Sequence, residues 1–273
     1  MHYASDEAGL AWLNATGAGV SPPTSLSLSH DVALSASRLA GEWKSLNTGL
    51  QSGLRYGWQD GLPFIPETSP SREAMLSAKR VMDIALACAL LLFFLPALIL
   101  VAIAIKATSK GPVFFMQERV GLRNGTFRVY KFRTMYTDRQ DETGVMQTVA
   151  DDHRITPIGR LLRRISVDEV PQIINILKGE MSFVGPRPHV PGMLAAGVLY
   201  EELVPYYDLR HVVKPGLTGW AQANGFRGPT SDPAMARARV DHDITYIQNF
   251  SLWLDITIIV KTAWREFITG TGV

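Results

Sequence analysis

Chemistry is concentrated in the stretch RRISVDEVPQIINILKGEMSFVGPRP, where Asp168 and Glu169 stand side by side with Pro171 two places on. Two uses fit this acidic pair. Ser166-x-x-Glu169 matches a capping box, and acids in a first turn complement the helix dipole. With Ser166 as the cap, Pro171 falls at the fifth helical position; with Asp168 as the cap it falls in the first turn, and the sequence does not separate the two registers. The chemical use rests on direction, because helical neighbours point about 100° apart, so one acid can attack while the other holds a metal. A helix N-terminus keeps a carboxylate ionised and favours phosphate nearby. Hard oxygen ligands suit Mg²⁺, which bridges to substrate phosphates and needs only one or two protein carboxylates.

The cations that a diphosphate needs surround the pair. Arg163 and Arg164 lie one turn upstream, Lys131 and Arg133 sit in YKFRT, and Arg187 sits between Pro186 and Pro188 in GPRP. Flanking prolines fix φ and pre-organise a guanidinium for bidentate phosphate recognition. Taken singly, each of these cations reads equally well as a solvated surface charge. A second acidic pattern, Asp241-x-Asp243 in ARARVDHDITYIQN, is the usual metal cue of glycosyltransferases that release UDP, but acids among arginines there read as the ion-pair face of an exposed helix. A membrane scaffold without activity would leave the basic cluster and GPRP unexplained. Histidines 2, 30, 153, 189, 211 and 242 show no zinc-like spacing.

Positioning these residues falls to a mostly α-helical chain with a small β-hairpin. VFFMQERVGLRNGTFRVYKFRTM reads as two strands about Asn124-Gly125. ITPIGRLLRRISVDEVPQIINILKG reads as two helical stretches stopped at Gly179, LYEELVPYYDLRHV as helix, KPGLTGWAQANGFRGPT as loop, and the segment from Pro233 to Ile268 as one or two helices. Residues 1–78 form an N-terminal extension, rich in Ser, Pro and Gly and partly disordered, with one amphipathic helix from Val32 to Trp43 and no legible role.

From Ile84 to Ile105 the chain carries 22 residues without a charge, which as a helix would reach ~33 Å. Pro96 stands at its midpoint, Lys79 and Arg80 precede it, and Lys106 and Lys110 follow. Hydropathy favours a kinked transmembrane helix. Basic residues at both ends favour a helix that turns at Leu95-Pro96 and leaves on the side it entered. With 27 basic and 25 acidic residues, the net charge of +2 is too small to argue for nucleic acid. The single cysteine, Cys88, excludes an internal disulfide and fits a reducing cytoplasm. MHYASDEAGLAW lacks the pattern of a signal peptide.

Several motifs in order resemble one family: the basic-flanked apolar segment, QERVGLRNGTFRVYKFRTM, ITPIGRLLRRISVDEVPQIINILKGEMSFVGPRP, RHVVKPGLTGWAQANG and NFSLWLDITIIVKT. They are similar to the bacterial sugar transferases, monotopic phosphoglycosyl transferases that start glycoconjugate assembly on polyprenol phosphate. The resemblance runs from about Lys79 to the C-terminus. It implies a re-entrant membrane helix over 79–110 and a catalytic domain over 111–273 at the cytoplasmic face of the bacterial inner membrane. It also implies transfer of a sugar-1-phosphate from a UDP-sugar to undecaprenyl phosphate with Mg²⁺. Asp168 would be the nucleophile, forming an aspartyl-phosphosugar as UMP leaves. Glu169 would hold the metal, and Lys131, Arg163 and Arg187 would neutralise the diphosphate, with Pro186 and Pro188 shaping the loop that receives the nucleotide. The C-terminal motifs look most like users of UDP-glucose, then of UDP-galactose. Trp253, Trp264, Lys261 and Arg265 fit a helix lying at the membrane interface, whereas Leu252, Ile256 and Ile259 fit a core helix. The oligomeric state stays open, a homo-oligomer included.

Overall fold

The computed structural model describes residues 54, 56–59, 61–139, 152–228 and 230–269; the helix expected over Val32–Trp43 lies outside them. Helix α1 (Pro70–Thr108) leads into the antiparallel strands β1 (Phe114–Val120) and β2 (Thr126–Phe132). Helix α2 (Pro157–Arg164) and a 3₁₀ turn, Val167–Gln172, run into α3 (Ile173–Lys178), which stops at Gly179 in the left-handed region (φ 84°). Strand β3 (Ser182–Val184), a 3₁₀ turn over Tyr207–Val212, strand β4 (Gly216–Thr218) and helices α4 (Trp220–Ala223), α5 (Pro233–Gln248) and α6 (Leu252–Thr269) follow. The expected helical chain with a hairpin is present, and β3 pairs with β4 in parallel besides. The hairpin loop is longer than an Asn-Gly turn. Gly121 N–H donates to Gly125 (2.7 Å), while the left-handed residues are Arg123 and Asn124. Asn124 is held there by a side-chain hydrogen bond with His211.

Helix α1 starts well before Lys79. Ser69 accepts from Arg72 N–H (3.2 Å) and Pro70 takes the first position, where a missing N–H costs little. These polar turns carry no hydropathy signal, yet they dock: Arg72 donates to Ile247 O (2.9 Å). The basic residues read as membrane flanks are tethered too. Lys79 Nζ meets Asp255 at 2.5 Å, both side chains buried, and Arg80 donates to Ile176 O (2.5 Å) and Leu177 O (2.9 Å) at the end of α3. At the other foot Ile105 is fully buried against Phe132 and Leu162, and Arg133 donates to the carbonyls of Ser109 and Lys110. Between the feet, Leu92 to Ala97 are all exposed. The helix is long and apolar enough to cross a membrane, and Pro96 lies within it.

Helix α5 is the centre of the core, not the exposed helix expected from its charges. Val240, Ile244 and Ile247 are fully buried, and so nearly are Arg239, Asp241, His242 and Asp243. Burial is tolerated because the charges are matched inside. Tyr56 and Tyr206 both donate to Asp241 Oδ1 (2.8 and 2.7 Å), and Arg210 pairs with Asp243. The Tyr56 contact, with Gln248 bridging to Gly57 and Phe64, also ties the last part of the supposed linker to this body. Helix α6 buries Leu254, Asp255 and Ile258, while Trp253, Ile256, Val260 and Trp264 share the exposed side. The core stripe is therefore shifted from Leu252/Ile256/Ile259.

The Lys79–Asp255 pair makes a direct prediction. Lys79→Ala leaves Asp255 charged and buried and should cost about 3 kcal/mol, seen as a drop in Tm in detergent. Lys79→Met with Asp255→Leu should restore part of that loss.

Candidate active site

Residues two apart on a strand share a face, and on β2 Lys131 follows Val129, which lies in the core, and reaches the acidic pair. Lys131 Nζ contacts Glu169 Oε1 at 2.7 Å. Arg187 grips the same carboxylate with two nitrogens, Nη2 to Oε1 at 2.6 Å and Nη1 to Oε2 at 3.1 Å. Glu169 is thus clamped between two cations, with Asp168 beside it and 8% exposed. Arg163 is set by the approach of α2 to the end of β2. Thr156 caps α2, Gly159 lies so close to the Thr134 carbonyl that a Cβ would stand 2.1 Å from it, and Arg163 Nε donates to Thr134 Oγ1 (2.8 Å).

The GPRP loop is pinned through four successive carbonyls. Pro186 O accepts from Gly216 N–H (2.9 Å), Arg187 O from Arg210 Nη2 (2.8 Å), Pro188 O from Arg119 Nη1 (3.3 Å) and His189 O from Val120 N–H (2.9 Å). Pro186 and Pro188 fix φ and offer no N–H of their own, so these bonds aim Arg187 without competing demands. Its guanidinium remains partly exposed, open to a ligand.

The two acids titrate in opposite directions. Burial pushes the Asp168 carboxyl up and the Glu169 charge adds to this, against Lys131, Arg163 and Arg187. Glu169 is desolvated as well, but Arg187 and Lys131 outweigh burial and hold its carboxyl well below the usual range. The environment of Asp168 therefore works against the ionised form, contrary to the expectation from a helix start. The acids lie in a 3₁₀ turn, and Ser166 is left-handed (φ 54°) with no capping bond from its side chain. Neither capping register is formed, and Pro171 sits inside the 3₁₀ turn.

Of the expected cations, the structure brings Lys131, Arg163 and Arg187 to the pair. Arg133 instead holds the exit of α1, and Arg164 is exposed on the surface. Arg119 and Arg227 were not foreseen, yet their charges act on Glu169 and Arg187. A regular basic spacing could have flagged neither, since both arrive by long-range folding. The Asp241-x-Asp243 pattern is committed to Tyr56, Tyr206 and Arg210. Among the described residues no group of three His, Cys, Asp or Glu side chains could hold a metal. Two adjacent carboxylates still fit Mg²⁺, which accepts so sparse a set when substrate phosphates complete its shell. At Glu169 such an ion would have to share oxygens with Lys131 and Arg187.

Replacing Glu169 by Gln removes the charge that opposes ionisation of Asp168. Its midpoint, followed by carboxyl ¹³C NMR, should fall; an unchanged midpoint would mean that burial alone sets it.

Comparison with known proteins agrees with this geometry. The family model for bacterial sugar transferase matches residues 74–269. An exopolysaccharide production protein of Rhizobium leguminosarum bv. phaseoli is 52% identical over 197 residues, 72% of this chain and 98% of that protein. A UDP-glucose:undecaprenyl-phosphate glucose-1-phosphate transferase of Escherichia coli K12 is 43% identical over 77% of this chain but only 44% of its own length. The N-acetylgalactosaminephosphotransferase of Aeromonas hydrophila, which uses UDP-N-acetylgalactosamine and undecaprenyl phosphate by its name, is 41% identical over 71% of this chain and 44% of itself. With the match running through α1, the acidic pair and the GPRP loop, the chain belongs to the bacterial sugar transferase family.

Proposed function

We propose that the protein transfers a sugar-1-phosphate from a UDP-sugar to undecaprenyl phosphate, releasing UMP, as the first membrane step of exopolysaccharide synthesis. The carrying observation is the acidic pair set among Lys131, Arg163 and Arg187, one acid clamped and the other desolvated beside it. The sugar is glucose, with galactose next. Support for glucose comes from the C-terminal motifs and from several relatives named for UDP-glucose.

On this reading Arg187, Lys131 and Arg163 take the donor's diphosphate. The Asp168 carboxylate attacks the β-phosphorus, the bond to the bridging oxygen breaks, and UMP departs with that oxygen. An oxygen of the lipid phosphate then attacks the aspartyl-phosphosugar and returns Asp168 as a carboxylate. Glu169 would hold Mg²⁺, which would offset charge on the phosphate oxygens. Glu169 also keeps Lys131 and Arg187 in place before the donor arrives.

The membrane reading is re-entrant, at the cytoplasmic face of the inner membrane. A straight helix from Arg80 to Ile105 would rise ~37 Å, yet both feet rest on one body. Arg80 sits on the end of α3, and Ile105 sits on β2, whose Tyr130 is bonded to Asn175 of α3. A bend at Leu95-Pro96, with the bare tip in one leaflet, accommodates this. The exposed Trp253, Ile256, Val260 and Trp264 face of α6 suits the interface beside it.

Incubation with a panel of UDP-sugars, undecaprenyl phosphate and Mg²⁺ should release UMP and leave a phosphosugar on Asp168. Release of UDP, or no turnover with any donor, would overturn the proposal. Asp168→Asn should lower turnover by about 10³-fold or more. Because the reactive form is ionised and its pKa is raised above 3.8, the rate should fall on acidification in a window above that of an ordinary aspartate. Tags before α1 and after α6 should both be cytoplasmic.

A further inference from the structure

Behind the GPRP loop lies a charge pair that the proposed chemistry does not use. Arg210 is completely buried and Asp243 is 2% exposed. Arg210 Nε and Nη2 both donate to Asp243 Oδ2, at 3.1 and 2.7 Å, and Nη2 also reaches the Arg187 carbonyl at 2.8 Å. Its third nitrogen faces Tyr207 Oη at 3.4 Å, and that hydroxyl is hydrogen-bonded to His189 Nδ1 at 2.8 Å. One guanidinium therefore spans the central helix α5 and the backbone of the residue whose side chain clamps Glu169. A buried pair of this kind gives little net stability over apolar packing. What it provides is a fixed angle: the fork of Arg210 is planar, and Asp243 orients it from a core helix.

We propose that Arg210, oriented by Asp243, is a positioning residue for the donor's diphosphate, acting through the backbone carbonyl of Arg187. The Asp-x-Asp pattern of α5 then serves phosphate recognition from behind, with Asp243 as the anchor of the loop. This rests on Arg187 binding the diphosphate, as in the proposed function, but it does not require the transfer step.

The test is a double-mutant cycle on UDP affinity in the purified full chain, with Tm measured for every variant. Arg210→Lys keeps the charge opposite Asp243 but loses the planar fork. It should raise the Kd for UDP about tenfold. In an Arg187→Ala background, where the carbonyl remains but the guanidinium is gone, the same change should raise it by less than about twofold. Asp243→Asn should behave likewise, and it carries the cycle if Arg210→Lys does not fold. Equal effects in both backgrounds would mark a purely structural pair and overturn the proposal. So would normal UDP binding by both variants, or a wild-type chain that does not bind UDP. Non-additive UDP binding without UMP release would instead support the positioning role and sink only the transfer reading.

Discussion

Two adjacent carboxylates cannot be buried together unless something absorbs their charge, and the site is organised around that constraint. Lys131 and Arg187 absorb the charge of Glu169, which leaves Asp168 desolvated and easier to protonate. The asymmetry follows from contact geometry. Glu169 meets both cations directly, while Asp168 feels them at a distance, and there desolvation and the Glu169 charge prevail. A carboxylate stripped of water is a stronger nucleophile than a hydrated one once ionised, and on the proposed function the neighbouring cations would receive the diphosphate. The two acids titrate apart because their environments differ, not because they start a helix.

The same solution recurs deeper in the molecule. Asp255 takes Lys79 and Tyr246, Asp243 takes Arg210, and Asp241 takes two tyrosine hydroxyls. Each acid lies on α5 or α6 and binds a donor from a distant part of the chain. Tyr56 comes from before α1, Lys79 from α1 itself, and Tyr206 and Arg210 from the region around the 3₁₀ turn. These polar joints fix angles that apolar packing leaves free, since a misplaced partner would strand a buried charge. They hold the helix foot, the N-terminal strap and the GPRP loop to one frame.

Sequence reading found the parts whose signal is local. The hairpin, the stop at Gly179, the apolar helix and the basic company of the acidic pair follow from composition, periodicity and motif order. It failed where a residue's role is decided by a partner far along the chain. Arg133 looked like a phosphate ligand and holds the end of α1; Lys79 looked like a membrane flank and is buried on Asp255. The charges of α5 looked solvated because on a helix an exposed ion-pair face and a buried one share the same spacing. Only Arg210 and Tyr56, from outside the helix, distinguish the two. The 3₁₀ geometry of Val167–Gln172 was illegible because Ser166 and Asp168 compete as caps, and the outcome depends on packing against β2.

The end of β2 joins the chemistry to the apolar helix. Lys131 meets Glu169, Phe132 packs on Ile105, and Arg133 holds the carbonyls that end α1. Three consecutive residues thus connect the acidic pair to the foot of the segment that would enter the bilayer. A strand rises about 3.3 Å per residue, so the cation on Glu169 and the packing on α1 lie only a residue or two apart along β2. On the re-entrant reading proposed above, a helix held in one leaflet would bring the acidic pair close to the level of the headgroups. A lipid phosphate lies at that level, so an acceptor of the proposed kind would reach Asp168 without lifting its chain out of the membrane. On the proposed function the foot of α1 would do more than anchor: it would set the height at which a soluble nucleotide sugar and a membrane-bound phosphate meet the same carboxylate.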